Sequence, residues 1–254
     1  MDSASLLTQA LVWLVAYLIG SVSFAVVVSR LMGLADPHTY GSGNPGATNV
    51  LRTGNRKAAL FTLLGDVGKG VLAVLLARWL APALGLTPLA VMGVGLAAFL
   101  GHLFPVFHRF AGGKGVATAA GVLMALNPVH GLMVLGTWLA VAFTTKYSSL
   151  AALVAAGLAP IYWGLLYGID ASTLIVLIMS LLLIWRHRSN INKLLAGQES
   201  RIGSRKKAAA AAPVAAGTAG ARPHHGHHGG HRHRKQGRHD GNQHHHGHQG
   251  RKRR

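Results

Sequence analysis

The sequence predicts an all-α polytopic membrane protein of about seven transmembrane helices, joined by short cytoplasmic re-entrant or interfacial segments. Three observations predict it. Half of the 254 residues are hydrophobic and only 12% are charged, against about 25% charged in an ordinary soluble domain. From Leu6 to Trp185 the apolar residues come in long runs broken by short polar loops. The basic residues of those loops sort to alternate connections, as the positive-inside rule requires of a multi-span chain.

The apolar runs fall at roughly 6–29, 58–80, 86–107, 115–126, 131–146, 149–167 and 171–186. A span needs about 20 mainly apolar residues, so the fourth and fifth are short and six spans is the alternative count. Charge favours seven. With seven, one set of connections holds Arg30, Arg52, Arg56, Lys57, Arg109, Lys114, Lys146, Arg186, Arg188 and Lys193. The other holds Asp2, the polar turn 127–130 and Asp170, with only Arg78 near a span end. This sorting predicts a periplasmic N-terminus and a cytoplasmic C-terminus; six spans would mix the two sets. The first run is too long for a signal-peptide core and no basic segment precedes it, so it reads as a retained span.

Two domains follow from composition: a membrane domain at 1–203 and a polar tail at 204–254. Twelve of the 25 Lys and Arg lie between Arg205 and Arg254, so the formal net charge of +19 is not a property of one domain. Eleven histidines lie between His224 and His248. Such a tail has almost nothing to bury and is expected to be disordered. Its charge suits anionic lipid headgroups, and its imidazoles would bind zinc, nickel or copper adventitiously. No aromatic interleaving supports a nucleic-acid contact. The chain has no cysteine, which removes disulfides, thiolate nucleophiles and Cys-based metal sites.

In the second run, Asp66 and Lys69 stand at i and i+3 and share a helix face. Ionisable groups in a span are costly, and a mutual structural pair facing the bundle is the expectation.

Three polar segments fall on the same predicted side. The first reads GSGNPGATNVLR at 41–52. Its glycines and proline break a helix, and its backbone N–H groups can form an anion-binding nest. Ser42, Thr48 and Asn49 add donors, and Arg52 adds a fork suited to phosphate. The second reads GGKGVAT at 112–118. It lacks the spacing of a nucleotide P-loop, yet Gly112, Gly113 and Gly115 allow close approach of an anion and Lys114 supplies charge before a helix N-terminus. The third runs from Arg186 to Glu199, with His187 and Asn190 three apart and Glu199 one of six acids in the chain. Glu199 is expected to anchor basic loops. The three together suit phosphorylated ligands. With so few acids near these loops, neither a metal site nor a cofactor is expected.

These stretches, with NINKLLAGQE at 190–199 and Asp66-Val67-Gly68-Lys69-Gly70, resemble the motifs of the bacterial acyl-phosphate glycerol-3-phosphate acyltransferase family (PlsY) over about residues 6–203. The resemblance implies a polytopic enzyme of the bacterial inner membrane, with a cytoplasmic active site. It would move a fatty acyl group from acyl phosphate to the 1-hydroxyl of glycerol 3-phosphate, giving lysophosphatidate and phosphate in phospholipid synthesis. The implied catalytic set is Ser42, Arg52, Lys114, His187 and Asn190. Gly43, Asn44, Gly46, Ala47, Thr48, Asn49, Gly112, Gly113 and Gly115 would hold phosphate, and Glu199 would fix the loops. The family's serine near the end of the fifth span matches Ser149, or else Ser148. An acyl-carrier-protein phosphate acyltransferase would supply the donor, and membrane lipid surrounds the enzyme.

Acyl phosphate is a mixed anhydride with a good leaving group, so no covalent acyl-enzyme is required. None of the five histidines at 38, 102, 108, 130 and 187 is followed by His-x4-Asp spacing, which counts against the acyl-CoA type of acyltransferase. A substrate phosphate oxygen is expected to take the proton, with His187 an orienting donor. The rival from another class is a transporter of a phosphorylated solute, which would need a midplane site reachable from both faces.

Overall fold

The computed structural model describes residues 3–202, which form ten α-helices and two short 3₁₀ turns with no strand among the described residues. In chain order these are α1 (Ser3–Ser21), α2 (Phe24–Leu31), α3 (Ala47–Val50), α4 (Arg56–Leu84) and α5 (Pro88–Leu103). There follow α6 (Val116–Leu126), α7 (Pro128–Thr145), α8 (Ser148–Tyr167), α9 (Ala171–Arg186) and α10 (Arg188–Leu195). The expected tail from residue 204 lies outside the described residues.

Local chemistry sets where the helices begin. Asn55 Oδ1 accepts from the Ala58 N–H, Thr87 Oγ1 from Ala90 and Asn127 Oδ1 from His130, at 2.9–3.1 Å. Each satisfies an N–H that has no partner inside its own helix. Asp170 closes a capping box on α9 with Ser172 and Thr173. Pro88 and Pro128 stand in the first turn of α5 and α7, where a missing N–H costs nothing.

Every apolar run of the sequence is helical. Four helices are long and apolar enough to cross a membrane, and two bent pairs raise the number to as many as six. The pairs are α1 with α2, bent by 41° at residues 22–23, and α9 with α10, bent by 57° at His187. The fourth run, α6, has 11 residues and reaches about 16 Å, roughly half a hydrocarbon core. By length up to six of the seven runs can span, and the fourth, expected to be short, is a half-length pass. It still reverses the chain between Gly115 and Asn127, so the alternation of connections holds.

Glycines let the helices approach closely. A Cβ on Gly20 would overlap the Ala98 carbonyl, and one on Gly101 the Tyr17 carbonyl, locking α1 against α5. Gly121 meets the Val67 backbone in the same way and Gly70 meets Thr118, joining α6 to α4. Lipid supplies no hydrophobic drive for helix association, so close backbone contact takes its place. Val74, Val94, Phe99, Leu103 and Val122 fill the interior, whereas Leu72, Leu75, Trp79 and Leu165 face outward. Asp66 and Lys69 form the expected ion pair, at 2.9 Å and almost wholly buried.

The connections 32–55, 104–115, 146–147 and 187–202 meet at one end of the bundle. Residues of all four are linked there: His38 to Ala111, Arg52 to Ser200, Lys114 to Asn190, and Ile202 to Lys146. At the other end Asn127 hydrogen-bonds Tyr167.

Candidate active site

The first polar loop is organised by Asn49, which is 2% exposed. Its Oδ1 accepts from the backbone and hydroxyl of Ser42, at 2.9 and 3.2 Å. Its Nδ2 donates to the carbonyls of Pro37 and Tyr40. Asn49, expected to hold phosphate, therefore spends its amide on shaping the loop. The loop leaves Ser42, Gly43 and Thr48 exposed and Asn44, Gly46 and Ala47 half-buried. Arg52 follows in a 3₁₀ turn, exposed, with Nη2 3.2 Å from Ser200 Oγ.

The second loop is pinned from both sides. Gly113 N–H donates to the His102 carbonyl at 3.1 Å. Arg186 donates Nε to the Gly113 carbonyl at 3.0 Å and Nη2 to that of Gly112. Gly112, Gly113 and Gly115 are buried, and a Cβ on any of them would collide: with the His102 and Leu103 carbonyls, the His102 ring, and Phe99 respectively. An open nest at Gly112 and Gly113 is thus corrected. Their lack of a side chain serves close packing, and it leaves the next residue, Lys114, projecting from a fixed backbone. Gly115, in the left-handed region with φ 87°, then starts α6. The first-turn N–H groups of α6 have no acceptor within the helix.

Lys114 donates Nζ to Asn190 Oδ1. Asn190 Nδ2 in turn donates to Glu199 Oε1 at 2.8 Å, and Ser149 Oγ donates to that same oxygen at 2.9 Å. Ser149 is 4% exposed, so it braces Glu199 from behind instead of lining the site. Burial pushes the Lys114 ammonium down to about 8, against the opposing pull of Glu199. Burial likewise pushes the His187 imidazole down to about 4, so it is neutral at physiological pH. Its Nδ1 lies 2.8 Å from the Leu183 carbonyl, which can only accept. The proton therefore sits on Nδ1 and Nε2 carries a lone pair. The expected orienting donor is corrected to an acceptor.

Hydrogen bonds thus join Lys114, Asn190, Glu199 and Ser149, and Arg52 bonds Ser200, the residue that follows Glu199 in the chain. Two cations, a neutral imidazole and a helix start share one end of the bundle. Such a set suits phosphorylated ligands whose charges must be brought together.

Residues 10–197 match the family described as Glycerol-3-phosphate acyltransferase. The chain belongs to the glycerol-3-phosphate acyltransferase family. A family member from Cupriavidus pinatubonensis is 69% identical over 194 residues, which is 76% of this chain and 96% of the relative. One from Ralstonia pickettii is 66% identical over 196 residues, 77% of this chain and 95% of the relative. Among solved structures, the glycerol 3-phosphate form of PlsY, an integral membrane glycerol 3-phosphate acyltransferase, is 37% identical. It aligns with a TM-score of 0.71 over 77% of this chain and 96% of its own. The lysophosphatidic acid form of that protein aligns with a TM-score of 0.69 at 36% identity, over 77% of this chain and 95% of its own.

Of the residues the sequence singled out, the fold joins Lys114, Asn190, Ser149 and Glu199 by hydrogen bonds, brings Arg52 to the neighbouring Ser200, and sets His187 where Lys114 and Glu199 act on it electrostatically. Sequence reasoning missed Arg186 as the clamp on the glycine loop, Ser200 as the partner of Arg52, and His102 behind the loop. Arg186 carried a signal, its place beside His187. Ser200 and His102 carried none, because their partners lie 148 residues away in one case and 36 in the other.

Proposed function

We infer that the protein transfers a fatty acyl group from acyl phosphate to the 1-hydroxyl of glycerol 3-phosphate, giving lysophosphatidate and inorganic phosphate in phospholipid synthesis. The observation that carries this reading is the convergence of Arg52 and Lys114 on consecutive residues of one segment: Arg52 bonds Ser200, and Lys114 reaches the adjacent Glu199 through Asn190. Two dianionic substrates repel one another, and a pair of cations in a partly dry site offsets that repulsion.

In the reaction the glycerol oxygen attacks the acyl carbonyl carbon, an ester bond forms and the carbon–oxygen bond to phosphate breaks. The hydroxyl proton leaves with the phosphate. His187 Nε2 accepts the hydrogen bond of that hydroxyl and aims the oxygen. With its imidazole held near 4, His187 is a poor proton sink at neutral pH, which supports the phosphate as the final acceptor. Lys114 and the first turn of α6 bind one phosphate, and Arg52 exchanges Ser200 for another. Ser42, Gly43 and Thr48, the exposed residues of the first loop, complete the cradle. Proximity of two bound reactants supplies much of the rate.

The enzyme works at the bacterial inner membrane with its active site and C-terminus in the cytoplasm; the one-sided distribution of Lys and Arg supports that orientation. A soluble enzyme that converts acyl carrier protein thioesters to acyl phosphate would supply the donor. The test is phosphate release by the purified protein. Acyl phosphate with glycerol 3-phosphate is expected to give turnover, and acyl-CoA or acyl carrier protein donors none. Turnover with a thioester donor alone would overturn the reading.

A further inference from the structure

We propose that the buried Asp66–Lys69–His102 cluster positions the glycine loop that carries Lys114, with His102 transmitting its effect. The three side chains come from the middle of α4 and the end of α5, and they are 2%, 4% and 7% exposed. Asp66 Oδ1 lies 2.9 Å from Lys69 Nζ and 3.5 Å from His102 Nδ1.

Ionisable groups within a span are expensive, and a buried ion pair stabilises no better than apolar side chains of similar size. Packing alone does not account for the cluster. Its contacts with the site do. Lys69 donates to the Val22 carbonyl at 2.7 Å, at the break between α1 and α2. The Asp66 carbonyl accepts from Thr118 Oγ1 at 3.0 Å, in the first turn of α6. His102 touches the loop twice. Its carbonyl takes the Gly113 N–H, and its ring occupies the space where a Gly113 side chain would stand. The Pro45 carbonyl of the first loop closes the remaining side, 2.9 Å from that same position.

Arg186 pulls both loop carbonyls from the opposite edge. The peptide between Gly112 and Gly113 is therefore held by its oxygen on one side and its N–H and α-carbon on the other. Lys114 is the next residue, so the tilt of that peptide directs its ammonium. His102 and the ion pair behind it are positioning residues, because they reach Lys114 only through the Gly112–Gly113 peptide. The inference rests on the acyltransferase reading.

The experiment uses the purified full-length protein and steady-state acyl transfer with each substrate varied in turn. His102→Ala is expected to raise the KM for a phosphate substrate by about tenfold or more while kcat stays within about threefold. His102→Gln, which keeps a donor toward Asp66, is expected to recover part of that loss. Gly113→Ala alone is expected to lose about tenfold or more in kcat/KM. Combined with His102→Ala it is expected to lose less than the product of the two, since removing the ring makes room for the added methyl. An unchanged KM in His102→Ala, or losses that multiply, overturns the proposal. If His102→Ala does not fold, His102→Asn combined with Gly113→Ala decides by the same coupling. A wild-type protein without transfer activity would instead overturn the acyltransferase reading.

Discussion

At the scale of single residues, the site depends on charge held where burial opposes it. Lys114 is partly buried and its pKa falls to about 8 because the surroundings disfavour the ammonium, while Glu199 and the Asn190 oxygen support it. The charged form binds phosphate and is lost as pH rises through that value. The free-enzyme parameter kcat/KM should therefore fall about tenfold per pH unit above roughly pH 8, and Lys114→Arg should remove that limb. His187, held near 4, should contribute no acid limb between pH 5.5 and 7.5, where its Nε2 remains an acceptor. Arg52→Ala and Lys114→Ala should each lower kcat/KM by about a hundredfold or more, the order expected for loss of a preorganised cation at a developing charge. Membrane insertion of both should be normal, read by fractionation and thermal midpoint. Near-normal transfer by either variant would remove the site from these residues.

At the scale of elements, the molecule is built by pairs of helices in backbone contact. Gly121 in α6 lies against Val67 in α4 with no room for a methyl group. Gly121→Leu should push α6 away from α4, lower the thermal midpoint in detergent by several degrees and impair phosphate binding. The second effect follows because α6 begins at the residue after Gly115 and carries Thr118, which is tied to the Asp66 carbonyl. A variant with wild-type stability and wild-type KM would show that this contact is dispensable. The bend at His187 has a comparable logic. It ends α9 where Arg186 clamps the glycine loop and starts α10 where Asn190 meets Lys114. A straight helix would point those two side chains in other directions.

At the scale of the whole molecule, alternating connections separate a chemical end from a plain one. The chain has no cysteine, so single cysteines report topology directly. Lys57→Cys should react with an impermeant maleimide only in inverted vesicles, and Ile169→Cys, at a turn 93% exposed, only in intact cells or spheroplasts. The opposite pattern would reverse the proposed orientation. The family match ends at residue 197, well before the His- and Arg-rich tail. Deleting 207–254 should leave kcat/KM largely unchanged, and complete loss of turnover would place the tail in the reaction.

The sequence by itself determined the class of fold, the apolar runs, the pairing of Asp66 with Lys69 and the identity of the three polar segments. Each of these is a local property: composition, run length, an i, i+3 spacing or a contiguous motif. Only the tertiary structure decided what the polar residues do. Asn49 read as a donor for phosphate and Ser149 matched the family's serine, and the fold spends both on internal hydrogen bonds. The glycines at 112 and 113 read as an open cradle, and the fold packs them between His102 and Arg186. The lone pair on His187 became visible only when Leu183 claimed the other ring nitrogen. A side chain's role depends on which atoms its neighbours leave free, and those neighbours come from segments far apart in the chain.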